Sequence, residues 1–543
     1  MFIKVKKMEP SLSKPLTDQI AAARFVMLRY ETEFTPCTGI TAVTKQERRH
    51  FKQGLMIAPW CPNLVWEEPL VNPLQNGRLT YTDLRFEVEG LPCRLLVSTD
   101  DFIPTLLIEM KGRFKGKKTP YDIPIESLRD DTLFFGLAVR KLLDLLGKPG
   151  GFVWAADWET VPAMLLSPKK YKKALTLHNT FDECLEIPSL KFGEQYKFFQ
   201  SKRKKSAYNK TALEIGLENA DVITTVNRGF AWGMRNELIQ TEVMAPHMQH
   251  LLKEVVGINN APFKPVDSDL RKLAEQLTSN SQAGEQTLFE RQLKARRELS
   301  AILAKDLQDK VIVVGMGRRV AQKLHGVMVE SVRQILREDP KSPLFVIFTT
   351  VAGDRTSPAR LRRMQALADE FPQQVVCLDG RMDYFGTLMQ AADYNCMASL
   401  YEPHGGAFED TVIPIARAID GLAEQICGMN ATGKAAEMND LWHRHTEEPT
   451  GFLFREDIEI PADRMEKNLR VLLTNPHPKT NELFKAIQAA LKEALIEGVN
   501  LRSSAPARYA QLVRAAINKQ VSYTWEDNLA AMLKLINEVE TKE

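Results

Sequence analysis

No two of the seven cysteines in this chain are spaced C-x-x-C. They lie scattered as Cys37, Cys61, Cys93, Cys184, Cys377, Cys396 and Cys427. That spacing excludes a zinc knuckle and a thioredoxin-like motif, and an odd, dispersed set fits reduced thiols in a cytoplasm. Long apolar runs are also missing. No stretch approaches the ~18 residues of a membrane span. The first residues, "MFIKVKKMEPSLSKP", hold no apolar core for a signal peptide. Neither sign of charge dominates, with 72 Lys and Arg against 69 Asp and Glu, a net +3. This argues against a nucleic-acid partner, which calls for a concentrated basic face. No short-period repeat is visible, which excludes a solenoid. The expectation is a soluble cytoplasmic protein without a bound metal.

The remaining composition is ordinary for a globular protein, with 44% hydrophobic and 26% charged residues. A length of 543 residues calls for two large domains. Short β-branched runs alternate with longer helical patterns. "RFVML" (24–28), "GLMIAP" (54–59), "CRLLVS" (93–98), "GFVWAAD" (151–157), "KALTLHN" (173–179) and "ADVITTVN" (220–227) form a first series. "DKVIVVGMG" (309–317), "PLFVIFTT" (343–350), "QQVVCLD" (374–379), "YNCMASL" (394–400) and "DTVIPIAR" (410–417) form a second. Strands alternating with helices read as βα units of a parallel sheet. The fold class is therefore α/β, with two Rossmann-like, doubly wound domains expected to face each other across a cleft. The expected boundaries are 20–266 and 306–520. A polar, turn-rich linker or insert joins them over 267–305, and 521–543 forms a C-terminal helix crossing back to the first domain.

Ligands of such sheets sit outside the carboxyl ends of the strands, and several polar residues fall there. "GMGRRVAQKLHG" ends a strand at Gly315 and Gly317, followed by Arg318 and Lys323. Two cations five residues apart can both reach one diphosphate, although a solvated basic helix start reads equally from the spacing. "SLYEPHGGAFED" places Glu402 before His404, Gly405 and Gly406. A helix is expected near Ala407, its free N–H groups joining the two glycines in an anion seat. Glu409 and Asp410 would complement its dipole. In the first half, Asp157 with Trp158, and His178 with Asn179, stand at strand ends, where they suit either a sugar or ordinary packing. "FFQSKRKKSAYNK" (198–210) reads as a solvated basic loop.

The order of these motifs resembles that of bacterial glycogen synthases and plant starch synthases, retaining glycosyltransferases of the two-Rossmann (GT-B) fold. The likeness runs over roughly residues 24–540. The family's S-R-L-x-x-Q-K-G is similar to "GRRVAQKLHG", which supplies Arg318, Gln322 and Lys323. Its E-P-C-G-L resembles "EPHGG", with His404 in place of cysteine, and its R-x-x-G-G-L-A-D resembles "RAIDGLAE" (417–424). "ADVITTVN", "TLHN", "TGFLF", "YTWEDNLAAMLKLINEV" and "DDTLFF", with Asp130 at its acid, have counterparts in the same order. The departures fall in the first half. In "PCTGITAV", Cys37 stands where the family's glycine loop K-x-G-G-L has lysine, and Ile40 replaces its second glycine. In "WAADWE", Ala156 replaces the histidine before Asp-Trp.

The resemblance implies transfer of glucose from ADP- or UDP-glucose to the non-reducing end of an α-1,4-glucan, without a cofactor or metal. Glu402, Arg318 and Lys323 would be catalytic. Gly315, Gly317, His404, Gly405, Gly406, Thr38 and Gly39 would hold the donor. Asp130, Asp157, Trp158, His178 and Asn179 would line the sugar or acceptor side. The departures leave two other functions open: a catalytically impaired glucan- or nucleotide-binding homologue, and a transferase that makes a small glycoside or an envelope polysaccharide.

Overall fold

The computed structural model describes residues 12–35, 39–66, 71–114, 116, 119–121, 123–183, 210–262, 266–354, 356–380, 382–444, 446–475 and 480–541. The chain divides into two compact units. The first comprises 1–226, 247–258 and 525–543, and the second 227–246 and 259–524.

The first unit is built on nine strands: β1 (Phe25–Leu28), β2 (Gly54–Trp60), β3 (Leu79–Val88), β4 (Leu91–Ser98), β5 (Thr105–Met110), β6 (Phe152–Ala156), β7 (Lys172–Leu177), β8 (Val222–Thr225) and β9 (Val256–Gly257). Their order is β3-β4-β5-β2-β1-β6-β7-β8-β9. Every residue of β1, β2 and β6 is buried, as expected for central strands covered on both faces. The sheet is not wholly parallel. β4 runs antiparallel to both β3 and β5, where an all-parallel arrangement was expected. Glu89 (φ 47°) and Gly90 (φ 77°) form the two-residue β3–β4 connection, and two positive φ values are what a tight hairpin turn requires. The amphipathic helix expected after Thr524 is present as Trp525–Glu540. Its Met532 and Ile536 are buried in one cluster with Phe25, Phe51, Met56 and Trp154.

The second unit carries a six-stranded, fully parallel sheet: β10 (Val311–Arg319), β11 (Leu344–Ala352), β12 (Val375–Asp379), β13 (Tyr394–Met397), β14 (Ile413–Arg417) and β15 (Phe452–Phe454). The order β12-β11-β10-β13-β14-β15 is a doubly wound 3-2-1-4-5-6 arrangement. It reverses direction between β10 and β13, and such a switch point opens a crevice for ligands. Residues 267–303, polar in sequence, fold as the helices Ser268–Ser279 and Ser281–Leu303. Asn280 breaks them apart and caps the second through its side chain. Leu270, Leu273, Leu277 and Leu288 then join the unit's core.

Candidate active site

The switch point fixes the first pair of side chains. β10 stays paired with β11 through Arg319, two residues beyond the glycine where the sequence pattern ends. Lys323 follows in a single 3-10 turn, Ala321–Lys323. On the other side of the switch, β13 ends at Met397, and the chain runs through Ser399 to Glu402. The Lys323 ammonium and the Glu402 carboxylate meet in an ion pair. Glu402 is 5% exposed, and its Oε2 also accepts from Ser399 Oγ at 2.9 Å. Arg318, on the same strand end, stays exposed. Its charge reaches the neighbouring Tyr401, whose phenol is pushed upward by burial while Arg318 opposes that shift. Two cations and one carboxylate thus gather around the carboxyl ends of β10 and β13.

Gln322 shows how the two loops are held. Its side-chain amide donates to Tyr401 O at 3.1 Å, and its own carbonyl accepts from Leu400 N at 2.7 Å. The turn before Glu402 is therefore strapped to the turn that carries Lys323. Arg417 supports the same turn from below, donating to Ser399 O and Leu400 O. It is buried against Glu456. The charges of Arg417 and Arg455 bring the Glu456 carboxyl down to about 2 against the pull of burial. Asp420 fixes the Glu402 backbone, its Oδ2 accepting from Glu402 N at 3.0 Å. Its carboxyl is raised, mainly by burial and then by Glu237.

The helix expected at Ala407 does not form. Residues 401–412 run as bends and a turn, with a short bridge between Glu409 and Val412, and then enter β14. Asp410 adopts a left-handed φ of 53° and pairs with Arg291 at 2.9 Å, so it caps no helix. Its ion pair and its backbone reversal override the propensity that "GGAFED" shows in sequence. The anion seat therefore reduces to the glycine turn. Gly405 needs its glycine twice: φ is 69°, and a Cβ there would lie 2.9 Å from Glu402 Cγ. At Gly406 a Cβ would meet nothing within 4 Å, so that face of the turn is open. His404 is held uncharged, its pKa lowered to about 4 by burial. A cavity of about 30 Å³ beside His404, Gly405, Gly406 and Gln425 has room for a water.

Gly317 has φ 116° and lies against the Lys323 side chain. Gly315 sits inside the sheet, where a Cβ would approach Met328 Sδ to 2.6 Å, so its smallness serves packing of β10 on the following helix. Leu324, at the position of the motif's final glycine, takes φ 45°, a strained conformation for a branched side chain.

In the first unit, β6 and β7 bring Asp157 and His178 together. Asp157 has φ 58° and opens the helix Asp157–Leu166. Its Oδ1 accepts from His178 N at 2.7 Å, and its Oδ2 lies 3.2 Å from His178 Nδ1. Glu159, two residues on, is buried, and its carboxyl is pushed well up by burial and then by Asp157. Trp158 is only 4% exposed and packs in the interior. Asn179 uses its Oδ1 to accept from Phe181 N at 2.7 Å, closing a turn. Asp130 lies apart on the helix Ile125–Leu145, paired with Arg113. Gly39 opens the helix Gly39–His50 with open space where a Cβ would lie. Cys37, Thr38 and most of the basic segment 198–210 lie outside the described residues.

Sequence reasoning missed Asp420 and the Arg417–Glu456 pair. A signal for Asp420 existed in "RGFAWGMR": Gly229 and Gly233, one turn apart, let Asp420 pack directly on the helix Arg228–Asn236.

No protein-family model and no curated protein sequence matches the chain. Solved structures do. The catalytic domain of starch synthase IV from Arabidopsis thaliana, bound to ADP and acarbose, is 16% identical with a TM-score of 0.70, over 95% of this chain and 99% of that one. Sucrose-phosphate synthase from Thermosynechococcus elongatus is 15% identical with a TM-score of 0.53, over 96% and 100%. The N-terminal domain of Candida albicans trehalose-6-phosphate phosphatase is 12% identical with a TM-score of 0.52, over 95% and 97%. Two α/β units with parallel-dominated sheets, in the order seen here, thus give this chain the GT-B fold of starch synthase and sucrose-phosphate synthase.

Proposed function

We propose that this protein is a retaining glycosyltransferase that binds a nucleoside-diphosphate sugar at the switch point of its second unit. The observation that carries the reading is the Lys323–Glu402 pair, with Arg318 beside it, at the carboxyl ends of β10 and β13. Breaking an anomeric bond leaves negative charge on the diphosphate. Arg318, Lys323 and the N–H groups of the Gly405–Gly406 turn would neutralise that charge where it develops, each such contact being worth roughly 3 to 4 kcal/mol. Glu402 would hold sugar hydroxyls and support the oxocarbenium-like centre. The acceptor hydroxyl attacks from the same face as the leaving diphosphate, whose oxygen takes the proton, so configuration is retained. Asp157 and His178 form the polar pair on the first unit that suits a sugar.

The ADP and acarbose held by the starch synthase structure favour a glucosyl donor and an α-glucan acceptor. The test is nucleotide release from ADP-glucose and UDP-glucose in the presence of a glucan primer. Lys323→Ala and Glu402→Ala should each lower turnover by about a hundredfold or more. A loss within threefold, less than ~0.7 kcal/mol, refutes the roles given to them. Nucleotide binding without release from any donor would assign a binding function instead.

A further inference from the structure

Arg318 has a neighbour that points elsewhere. Arg319 is 4% exposed, pairs with Asp379 at 2.5 Å and donates to Thr350 O and Oγ1 at 3.0 and 3.1 Å. Its Nε is buried without an acceptor. His325 then opens the 14-residue helix His325–Glu338, whose N-cap residue, Leu324, offers no side-chain cap. His325 is 4% exposed. Its Nε2 lies 3.4 Å from Met316 O, and its Nδ1 has no partner.

The adjacent helix, Ser357–Glu370, adds two more cations. Arg360 is 6% exposed and uses its Nε on Thr356 Oγ1 at 3.0 Å, while one terminal nitrogen is buried with no acceptor. Arg363 also buries a terminal nitrogen without an acceptor. That atom lies 3.2 Å from where a Cβ on Gly326 would be, so it sits against the first turn of His325–Glu338. Among the described residues, neither Arg360 nor Arg363 has a carboxylate within ion-pair distance. Glu330, the acid facing Arg363, is bound by Arg333 at 2.7 Å. Asp354, the acid facing Arg360, accepts from Thr356 N and Oγ1. The His325 imidazole is held neutral, its pKa lowered to about 3 chiefly by burial and then by the charges of Lys323, Arg360 and Arg319.

A buried guanidinium without a counter-charge is strongly unfavourable, and buried donors without acceptors are rare. The Arg363 nitrogen lies against an uncapped helix N-terminus, and Arg360 is one turn before it on its own helix. That helix starts at Ser357, whose Oγ donates to Arg319 O at 2.8 Å; together they suit an anion. We propose that Arg319, Arg360 and Arg363, with the N-terminus of His325–Glu338, bind a phosphate group, free or on a phosphomonoester, at a site that uses neither Arg318 nor Lys323, whose ammonium is paired with Glu402. The phosphate oxygens would accept from the orphaned guanidinium nitrogens and supply the missing negative charge.

Thermal unfolding of the full chain in inorganic phosphate, in glucose 6-phosphate and in sodium chloride at matched ionic strength tests this. Phosphate should raise the midpoint by about 2–4 °C over chloride at concentrations well above the dissociation constant. A larger rise with glucose 6-phosphate assigns a phosphomonoester, and a rise with inorganic phosphate alone assigns the free anion. The rise should persist in Lys323→Ala and disappear in Arg360→Met. Without phosphate, Arg360→Met should be no less stable than the parent, because an uncompensated charge has gone. Should Arg360→Met not fold, Arg363→Met, less deeply buried, serves the same comparison. No rise over chloride, a rise that survives both arginine changes, or a rise lost in Lys323→Ala overturns the proposal.

Discussion

Removing Lys323 should destabilise the second unit through the partner it leaves behind. Glu402 has a side chain only 7% exposed, and Lys323 is 19% exposed. With Lys323→Met, the Ser399 hydroxyl at 2.9 Å is the one side-chain donor left to the carboxylate among the described residues. Breaking a fully buried pair by deleting one partner costs about 3–5 kcal/mol. The partial exposure of the lysine discounts that figure, and about 2–3 kcal/mol is expected here. Glu402→Gln alone should cost less, because the ammonium can reach water. The double variant should recover most of the loss, giving a coupling energy of about 1.5–2.5 kcal/mol. Urea unfolding monitored by tryptophan fluorescence measures all four corners of the cycle. Additive single and double effects, within ~0.5 kcal/mol, would refute the ion pair and with it the shared site on β10 and β13.

Two further outcomes follow from the supports of that site. The Glu456 carboxyl lies at about 2 in the folded protein against an ordinary 4.5. A depressed folded value stabilises above the unfolded one, so about 3 kcal/mol should be present above pH 4.5 and lost as pH falls toward 2. In urea midpoints between pH 5 and 3, Glu456→Gln should be less stable at the upper end and decline less steeply; parallel curves would contradict the pairing with Arg417. Gly405→Ala combines a left-handed φ with a Cβ 2.9 Å from both Glu402 Cγ and Leu422 Cδ2. It should cost about 2–4 kcal/mol and lower nucleotide release by displacing Glu402, whereas Gly406→Ala, with open space around it, should leave stability within about 0.5 kcal/mol.

Much of the fold was legible because buried parallel strands write themselves as short β-branched runs. "VIVVG", "FVIFTT" and "FVWAA" needed only their composition and their spacing from the next helical pattern. The β3–β4 hairpin was missed because its turn is Glu-Gly, a pair without the asparagine or aspartate that usually announces two positive φ values. The helix after Gly406 was expected because small and acidic residues resemble a helix start. Its failure to form depends on the Asp410–Arg291 pair, across 119 residues, which no local pattern encodes. In the site itself, Arg318, Lys323 and Glu402 could be singled out by their positions at strand ends. The meeting of Lys323 with Glu402 depends on β10 and β13 being neighbours across the switch. Of the supporting residues, Arg417 and Asp420 lie in "RAIDGLAE", but their contacts are written nowhere near them, and Glu456 gave no sign, because a buried acid and a surface acid are spelled alike.

The first unit is discontinuous. The chain leaves it after Val226, returns over 247–258, and returns again at Trp525. The last visit delivers Met532 and Ile536 to the cluster around Phe25, Phe51 and Trp154, residues made more than 350 positions earlier. During synthesis, then, the domain begun first must be finished last. Its oily flank stays uncovered while the ribosome makes the whole of the other domain, a window in which a chaperone would find its binding surface and a protease its opening.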